Sequence, residues 1–439
     1  MIQRWLFTQI DNSSLIVFRI VFGFLIAAEA IGSIFTGWIK RTLIEPQFTF
    51  NFIGFDFLQP LPGDGMYYYY LVMGVFGLLV MLGYRYRYSM IAFTIMWAGV
   101  YFMQKTSYNN HYYLLLLLCI IMCFLPANTY ASLDVKRDRS LYSIQMPRWC
   151  SWVFIFQVWI VYTYAAIAKI YPDWLDTTVA KNLMAAKAGY PIVGGLLQKD
   201  WAHYCIAYFG IFYDLLIIPL LLWKRTRLAA FGASVFFHLF NSFVLQIGIF
   251  PYLSLAFSLF LFSGEIVHRI FLKRKPYYNE GAVKIPSYRK PLVLIAALWF
   301  AIQIALPIRH WAIPGDVLWT EEGHRLSWRM MLRGRQGRIA FFVVDKATNK
   351  RSRVVLQNYL SKKQKRTVAT RPDAIWQFAQ RLREKYAKDG IDVSVYVKSS
   401  VSVNNKPYKT FIDPKIDLAS VPWNYVKTNP WIIKYPKDL

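Results

Sequence analysis

The feature that most constrains this chain is a series of apolar runs long enough to cross a lipid bilayer. A helix rises about 1.5 Å per residue, so roughly 20 apolar residues span a hydrocarbon core of about 30 Å. Runs of that order lie near residues 13–35, 67–84, 88–104, 110–127, 149–171, 203–223, 228–247, 250–268 and 291–310. They predict about nine transmembrane helices over residues 1–310, because in lipid the backbone must satisfy its own hydrogen bonds. Composition agrees: 56% of the 439 residues are hydrophobic and 17% are charged, where a soluble domain carries about 25% charged. A disordered chain and a single soluble globule are excluded. The first run reads as a retained span, since it is long, contains Arg19 and Glu29 and has no small-residue cleavage site. Gly74, Gly77 and Gly83 suggest close helix packing, and the run Leu114–Leu118 suggests a face turned to lipid.

Charge sets the expected orientation. There are 51 Lys and Arg against 24 Asp and Glu, a net +27. With the N-terminus in the cytoplasm, the inner loops hold roughly 17 basic residues and the outer loops about six, as the positive-inside rule requires. With nine spans, the polar C-terminal part then lies outside the cytoplasm. That part, residues 311–439, carries about 25 basic and 11 acidic residues and reads as a small basic α+β domain. Residues 339–344 and 351–360 suggest a hairpin, 372–389 an amphipathic helix opened by Pro372 and closed by Gly390, and 391–403 a half-buried strand. No nucleic-acid module is recognisable, so nucleic acid is not an expected partner. The four cysteines, Cys119, Cys123, Cys150 and Cys205, form no disulfide framework.

Ionisable residues inside spans are expensive to place and therefore candidates for function. Arg19 and Glu29 lie roughly on one side of the first span and suggest buried ion pairs with other spans. His238 and Asn241 share a face of the seventh, where a helix–helix hydrogen bond explains them as well as a site does. Cys119 and Cys123 read as buried thiols, with no third metal ligand nearby. His111 follows Asn109 and Asn110 at the mouth of the fourth span, where a cap is the alternative. Lys169 ends the fifth span among Ala165, Ala166 and Ala168. It is either a snorkelling lysine or a desolvated one, and a neutral amine in an apolar pocket is a competent general base. No HExxH, P-loop, GxSxG or dinucleotide fingerprint is present.

Five separated blocks resemble the vitamin K-dependent gamma-carboxylases, in that family's order. They are Asn110–Leu114, Ala168–Trp174, Phe237–Ser242 with Ile247–Tyr252, Trp319–Arg333 and Ile412–Leu418. The resemblance implies a helical membrane domain, 1–310, holding a quinol-oxygenation site, and an exported domain, 311–439, on the substrate side. It also implies a reaction. A catalytic lysine, matched by Lys169, deprotonates reduced vitamin K, a naphthoquinol. Oxygen then generates a strong base, glutamate loses a γ-proton, carbon dioxide adds, and the vitamin leaves as its epoxide. Asn110 and His111 match residues near that lysine. His238, Asn241, Met330 and Met331 are implied at the quinol, and His324, Arg329, Arg333 and Lys415 at the glutamate. The implied partners are membrane lipids and a glutamate-containing exported protein or peptide. No metal is implied. The chain departs from the animal members at His324, where they carry tyrosine, and at Arg333, where they carry histidine. The cysteine that joins their two parts is absent, and the tail is shorter. Two alternatives remain: a quinol epoxidase without carboxylase activity, and a membrane transporter or lipid carrier.

Overall fold

The computed structural model describes residues 2–425 and 427–435. The membrane part is helical. Its main elements are α1 (Ser13–Phe35), α2 (Gly65–Leu82), α3 (Tyr86–Met103), α4 (Asn110–Phe124), α5 (Trp149–Ala168), α6 (Asp200–Leu222), α7 (Arg227–Phe240), α8 (Phe250–Ala256) and α9 (Arg289–Ile308). Among the described residues, six helices are long and apolar enough to cross a membrane. They are α1, α2, α5, α6, α7 with its π-helical extension to Leu245, and α9 extended to Trp311. A seventh span would combine Phe250–Leu261 with Gly264–Phe271, which are bent by 118°. The expected count of nine also included the segments now seen as α3 and α4. Helix α4 has only 15 residues.

Helix α4 also corrects an expectation. Leu114, Leu115, Leu116, Leu117 and Leu118 are all buried, with 6% exposure or less, so this run faces protein and not lipid. A helix that is apolar all round belongs at the centre of a bundle, and α4 packs there beside α3. The glycines do mark close approach. A Cβ on Gly77 would lie 2.8 Å from the backbone nitrogen of Ala27, and one on Gly74 2.6 Å from Ile31 Cγ1. Only glycine lets α1 and α2 meet so closely.

The C-terminal part is α+β. A four-stranded antiparallel sheet has β3 (Arg335–Asp345) and β5 (Val393–Val403) at its centre, flanked by β4 (Arg351–Arg353) and β6 (Lys409–Thr410). A short pair, β1 (Gln9–Asp11) with β2 (Gln145–Pro147), lies under the membrane bundle. Strands β3 and β5 pair over their full length, from Arg335 opposite Val403 to Asp345 opposite Val393. The expected hairpin is shorter than the sequence suggested. Only Arg351–Arg353 pairs with β3, and Leu356–Asn358 forms a 3-10 turn that directs Leu360 into the core. Two helices, α10 (Lys362–Thr370) and α11 (Pro372–Lys388), cover one sheet face. The core joins Phe341, Val343, Val395 and Val397 to Ile375, Phe378 and Leu382. Ser361 and Gln364 close a capping box at the start of α10.

The two parts are held together by Phe48 and Phe50, which pack into the core of the C-terminal part, and by polar contacts. Asp373, at the start of α11, is ion-paired with Lys105 of the membrane part at 2.5 Å and accepts from Arg325 at 2.6 Å. Asp173, just after α5, pairs with Lys406 at 2.9 Å and accepts from Asn404 at 2.9 Å. The segment Trp319–Arg333 lies between the parts. Trp328 is 1% exposed, and its ring stacks on Tyr113 of α4 with centroids 4.9 Å apart.

Candidate active site

Helix α4 begins with Asn109 as its cap, whose side chain accepts from the Tyr112 backbone N–H at 2.7 Å. That cap fixes Asn110 and His111 in the first helical turn. The His111 ring stacks on Phe250, at 4.0 Å between centroids. Phe250 opens α8 beside Pro251, after a reversal at Gly248 with φ +68°. The positive φ is one that glycine adopts without strain. Across the bundle, α5 ends at Ala168, and the extended Tyr171 precedes Pro172 as that ring demands. Lys169 therefore turns back along its own helix, where Nζ donates to the Ala165 carbonyl at 3.2 Å. It also forms a buried ion pair with Asp214 of α6. Trp174 closes this corner, with its indole N–H on the Ala207 carbonyl at 3.1 Å.

Lys169, Asp214 and His111 line one cavity of about 680 Å³. His238, Asn241, Met330 and Met331 line the same cavity, and most of its remaining wall is aromatic or aliphatic. His238 and Asn241 sit where α7 passes into a π-helical turn, Asn241–Leu245. The His238 Nε2 atom lies 3.1 Å from both Tyr162 Oη and Tyr213 Oη.

A second cavity, of about 390 Å³, adjoins the first and is basic. Lys105, Arg325, Arg329, Arg333, Arg335, Arg366 and Arg371 all border it, with Asn110 and His324. His111, Met330 and Met331 border both cavities. Glu321 lies buried among these cations and pairs with Arg333, Arg335 and Arg371. Arg329 is less engaged: Nη1 lies 3.4 Å from His310 Nε2, and Nε is buried with no hydrogen-bond partner. Burial, reinforced by Arg333, pushes its guanidinium down to about 10, so it stays charged at neutral pH. Burial and the surrounding arginines push His324 well below the usual histidine range, which leaves the imidazole neutral. Its Nδ1 is also buried and unpartnered. Burial, opposed by Asp373, brings Lys105 down to about 8.

The expected site residues thus divide. Lys169, His111, His238, Asn241, Met330 and Met331 share the apolar cavity. Asn110 does not line it. Its side chain faces the basic cavity, donating to the Arg329 carbonyl at 3.2 Å and accepting from Tyr108 at 2.9 Å. Lys415 borders neither cavity; it is exposed, in a turn where its backbone N–H donates to Asp413 at 2.9 Å. Arg333 shares the Glu321 carboxylate with Arg335 and Arg371, whereas Arg329 has no carboxylate partner among the described residues. The ion pairs expected for Arg19 and Glu29 do not form among the described residues. Arg19 donates to the carbonyls of Ala127, Tyr130 and Ala131, and Glu29 accepts from Tyr112 at 2.8 Å. Asp214 and Glu321 were missed from sequence. Asp214 carried a usable signal, a lone carboxylate well inside a long apolar run, the same signal that singled out Glu29.

Known families match both parts of the chain. The HTTM domain matches residues 7–265. The lumenal domain of vitamin K-dependent gamma-carboxylase matches residues 288–438. No solved structure matches. Together these matches cover the helices that build the apolar cavity and the domain that builds the basic one, and the chain belongs to the vitamin K-dependent gamma-carboxylase family.

Proposed function

We propose that this protein couples oxygen-dependent epoxidation of a reduced naphthoquinol to carboxylation of glutamate, at its γ-carbon, in an exported protein or peptide. The observation that carries this reading is the shared wall. His111, Met330 and Met331 separate an apolar cavity containing Lys169 from a basic cavity lined by arginines. A lipid-soluble quinol fits the first cavity. Its size falls within the roughly 300–1,000 Å³ of ligand sites, and its charged groups gather at Lys169 and Asp214. When bound, the reduced quinol supplies, with molecular oxygen, a base strong enough to take a γ-proton from glutamate.

The protein's own residues have separate tasks. Lys169 takes the quinol's hydroxyl proton at Nζ. His111, on the shared wall, stabilises negative charge that develops beside it. Asn110 holds that wall to the Arg329 backbone. On the other side, Arg329 and His324 present unpaired buried donors to the glutamate carboxylate, and a charge-assisted bond forms there. Met330, Met331 and Trp328 keep water from a base that water would quench. Carbon dioxide is uncharged and adds to the carbon that has lost its proton.

The test uses purified protein, a reduced menadione-type quinol and oxygen. Epoxide is the expected product, and its absence sinks the proposal. A glutamyl peptide and labelled carbon dioxide are then added. Label in the peptide supports the full reaction, whereas epoxide without label leaves a quinol epoxidase.

A further inference from the structure

Lys169 is not a lone amine. Its Nζ is ion-paired to Asp214, and both side chains are buried, at 8% and 5% residue exposure. A lysine in such a pair already holds its proton and has no lone pair to offer. It can take another only by passing one on. Its other contacts are the Ala165 carbonyl and the Trp174 ring, 5.6 Å from Nζ to the centroid, and neither can hold a proton. The other titratable groups close to Asp214 are Tyr162 and Tyr213, and both of their hydroxyls are engaged with His238 Nε2. Among the described residues, Asp214 is the only carboxylate paired with Lys169.

We infer that Asp214 is the proton acceptor behind Lys169, so that the base of the epoxidation step is a relay pair and not a single amine. The inference rests on the proposed function. In the relay, the Nζ–H bond facing Asp214 breaks and an O–H bond forms on its carboxylate. The amine turns about Cε–Nζ, and its freed lone pair forms a new N–H bond with the quinol's hydroxyl proton. The quinol O–H bond breaks, and its electron pair stays on that oxygen. The pair passes from neutral to singly positive only as the negative oxygen forms beside it. Before that moment the apolar cavity holds no net charge, which avoids burying an uncompensated ammonium.

Asp214 acts through Lys169, so it is a positioning and relay residue. The experiment is infrared difference spectroscopy of the full-length protein in phosphatidylcholine nanodiscs, without oxygen, on adding a reduced menadione-type quinol. The expected result is a new carbonyl stretch of a protonated carboxylic acid. It shifts when aspartate is 13C-labelled and is missing in Asp214→Asn. Bound quinol with no such band, or the same band in Asp214→Asn, overturns the relay. With oxygen, Asp214→Asn should lose at least ~100-fold in kcat, the scale of acid–base catalysis, with little change in the quinol's KM. Asp214→Glu should restore part of the loss, and its retained carboxylate controls for misfolding. A fully active Asp214→Asn protein means that Lys169 works alone. A wild-type band without epoxide overturns the proposed activity and leaves the relay standing; no quinol binding overturns both.

Discussion

At the level of single residues, the pairing of Lys169 with Asp214 and the spare donors of Arg329 give the sharpest expectations. Lys169→Ala should abolish epoxide formation, with at least ~100-fold lost from kcat. Lys169→Arg should fail as well, although it keeps the ion pair, because a guanidinium does not give up its proton. An active Lys169→Arg protein would place the base elsewhere. Arg329→Ala should act on the other cavity. Losing a hydrogen bond to a charged group removes about 1.5–3 kcal/mol, or roughly ten- to a hundredfold in the peptide's KM, with the quinol's KM little changed. Steady-state kinetics with each substrate varied in turn separates the two. Arg333→Ala should have the smaller effect, since Glu321 already occupies its guanidinium.

At the level of elements, the start of α11 is a clamp. Asp373 is buried, yet Arg325 and Lys105 outweigh that burial and hold its carboxyl well below the usual range. A carboxyl depressed in the folded state adds stability that is complete above its unfolded value of about 3.9. That stability is lost only as the pH falls further. Asp373 therefore stays ionised across neutral pH and the clamp opens in acid, while Lys105, brought down to about 8, lets go of it as the pH rises through that value. Asp373→Ala should leave Lys105 and Arg325 unpaired and destabilise the docked domain by about 3–5 kcal/mol. The measurement is limited proteolysis between α9 and β3, which should be faster in the variant at pH 7 and in the wild type in acid. Wild-type and variant rates that match at pH 7 would remove the clamp. Such ion pairs join the two parts beside apolar contacts, among them Phe48 on Phe378 and Phe50 in the domain core.

At the level of the whole molecule, sidedness decides which proteins can be substrates. Among the described residues six helices are long and apolar enough to cross a membrane, or seven if the bent pair is one span, and one span more or less reverses the C-terminal domain. Counted over nine spans, which include α3 and α4, the loop charges of roughly 17 basic against six lead us to predict that the domain lies outside the cytoplasm. A phosphatase active only after export, fused after Leu439, should work. A fluorescent protein that matures only in the cytoplasm should stay dark there. The opposite pattern would separate the basic cavity from any exported substrate.

The sequence by itself determined the membrane class, the polar α+β tail and the residues Lys169 and His111 as candidates. Apolar length, charge bias and strand alternation are local quantities, so they survive without a fold. Helix α11 and strand β5 were readable for the same reason. Tertiary structure alone decided the rest. That Leu114–Leu118 are buried depends on which helices surround α4, and a run of leucine reads alike against lipid or protein. That β3 pairs chiefly with β5 depends on partners 48 to 68 residues away, from Asp345 opposite Val393 to Arg335 opposite Val403. Asn110 and His111 adjoin in sequence but face different cavities, because adjacent helical side chains diverge by about 100°. The partner of Lys169 lies 45 residues away, on another helix. An ion pair between helices is a property of their packing, and no spacing along the chain encodes it.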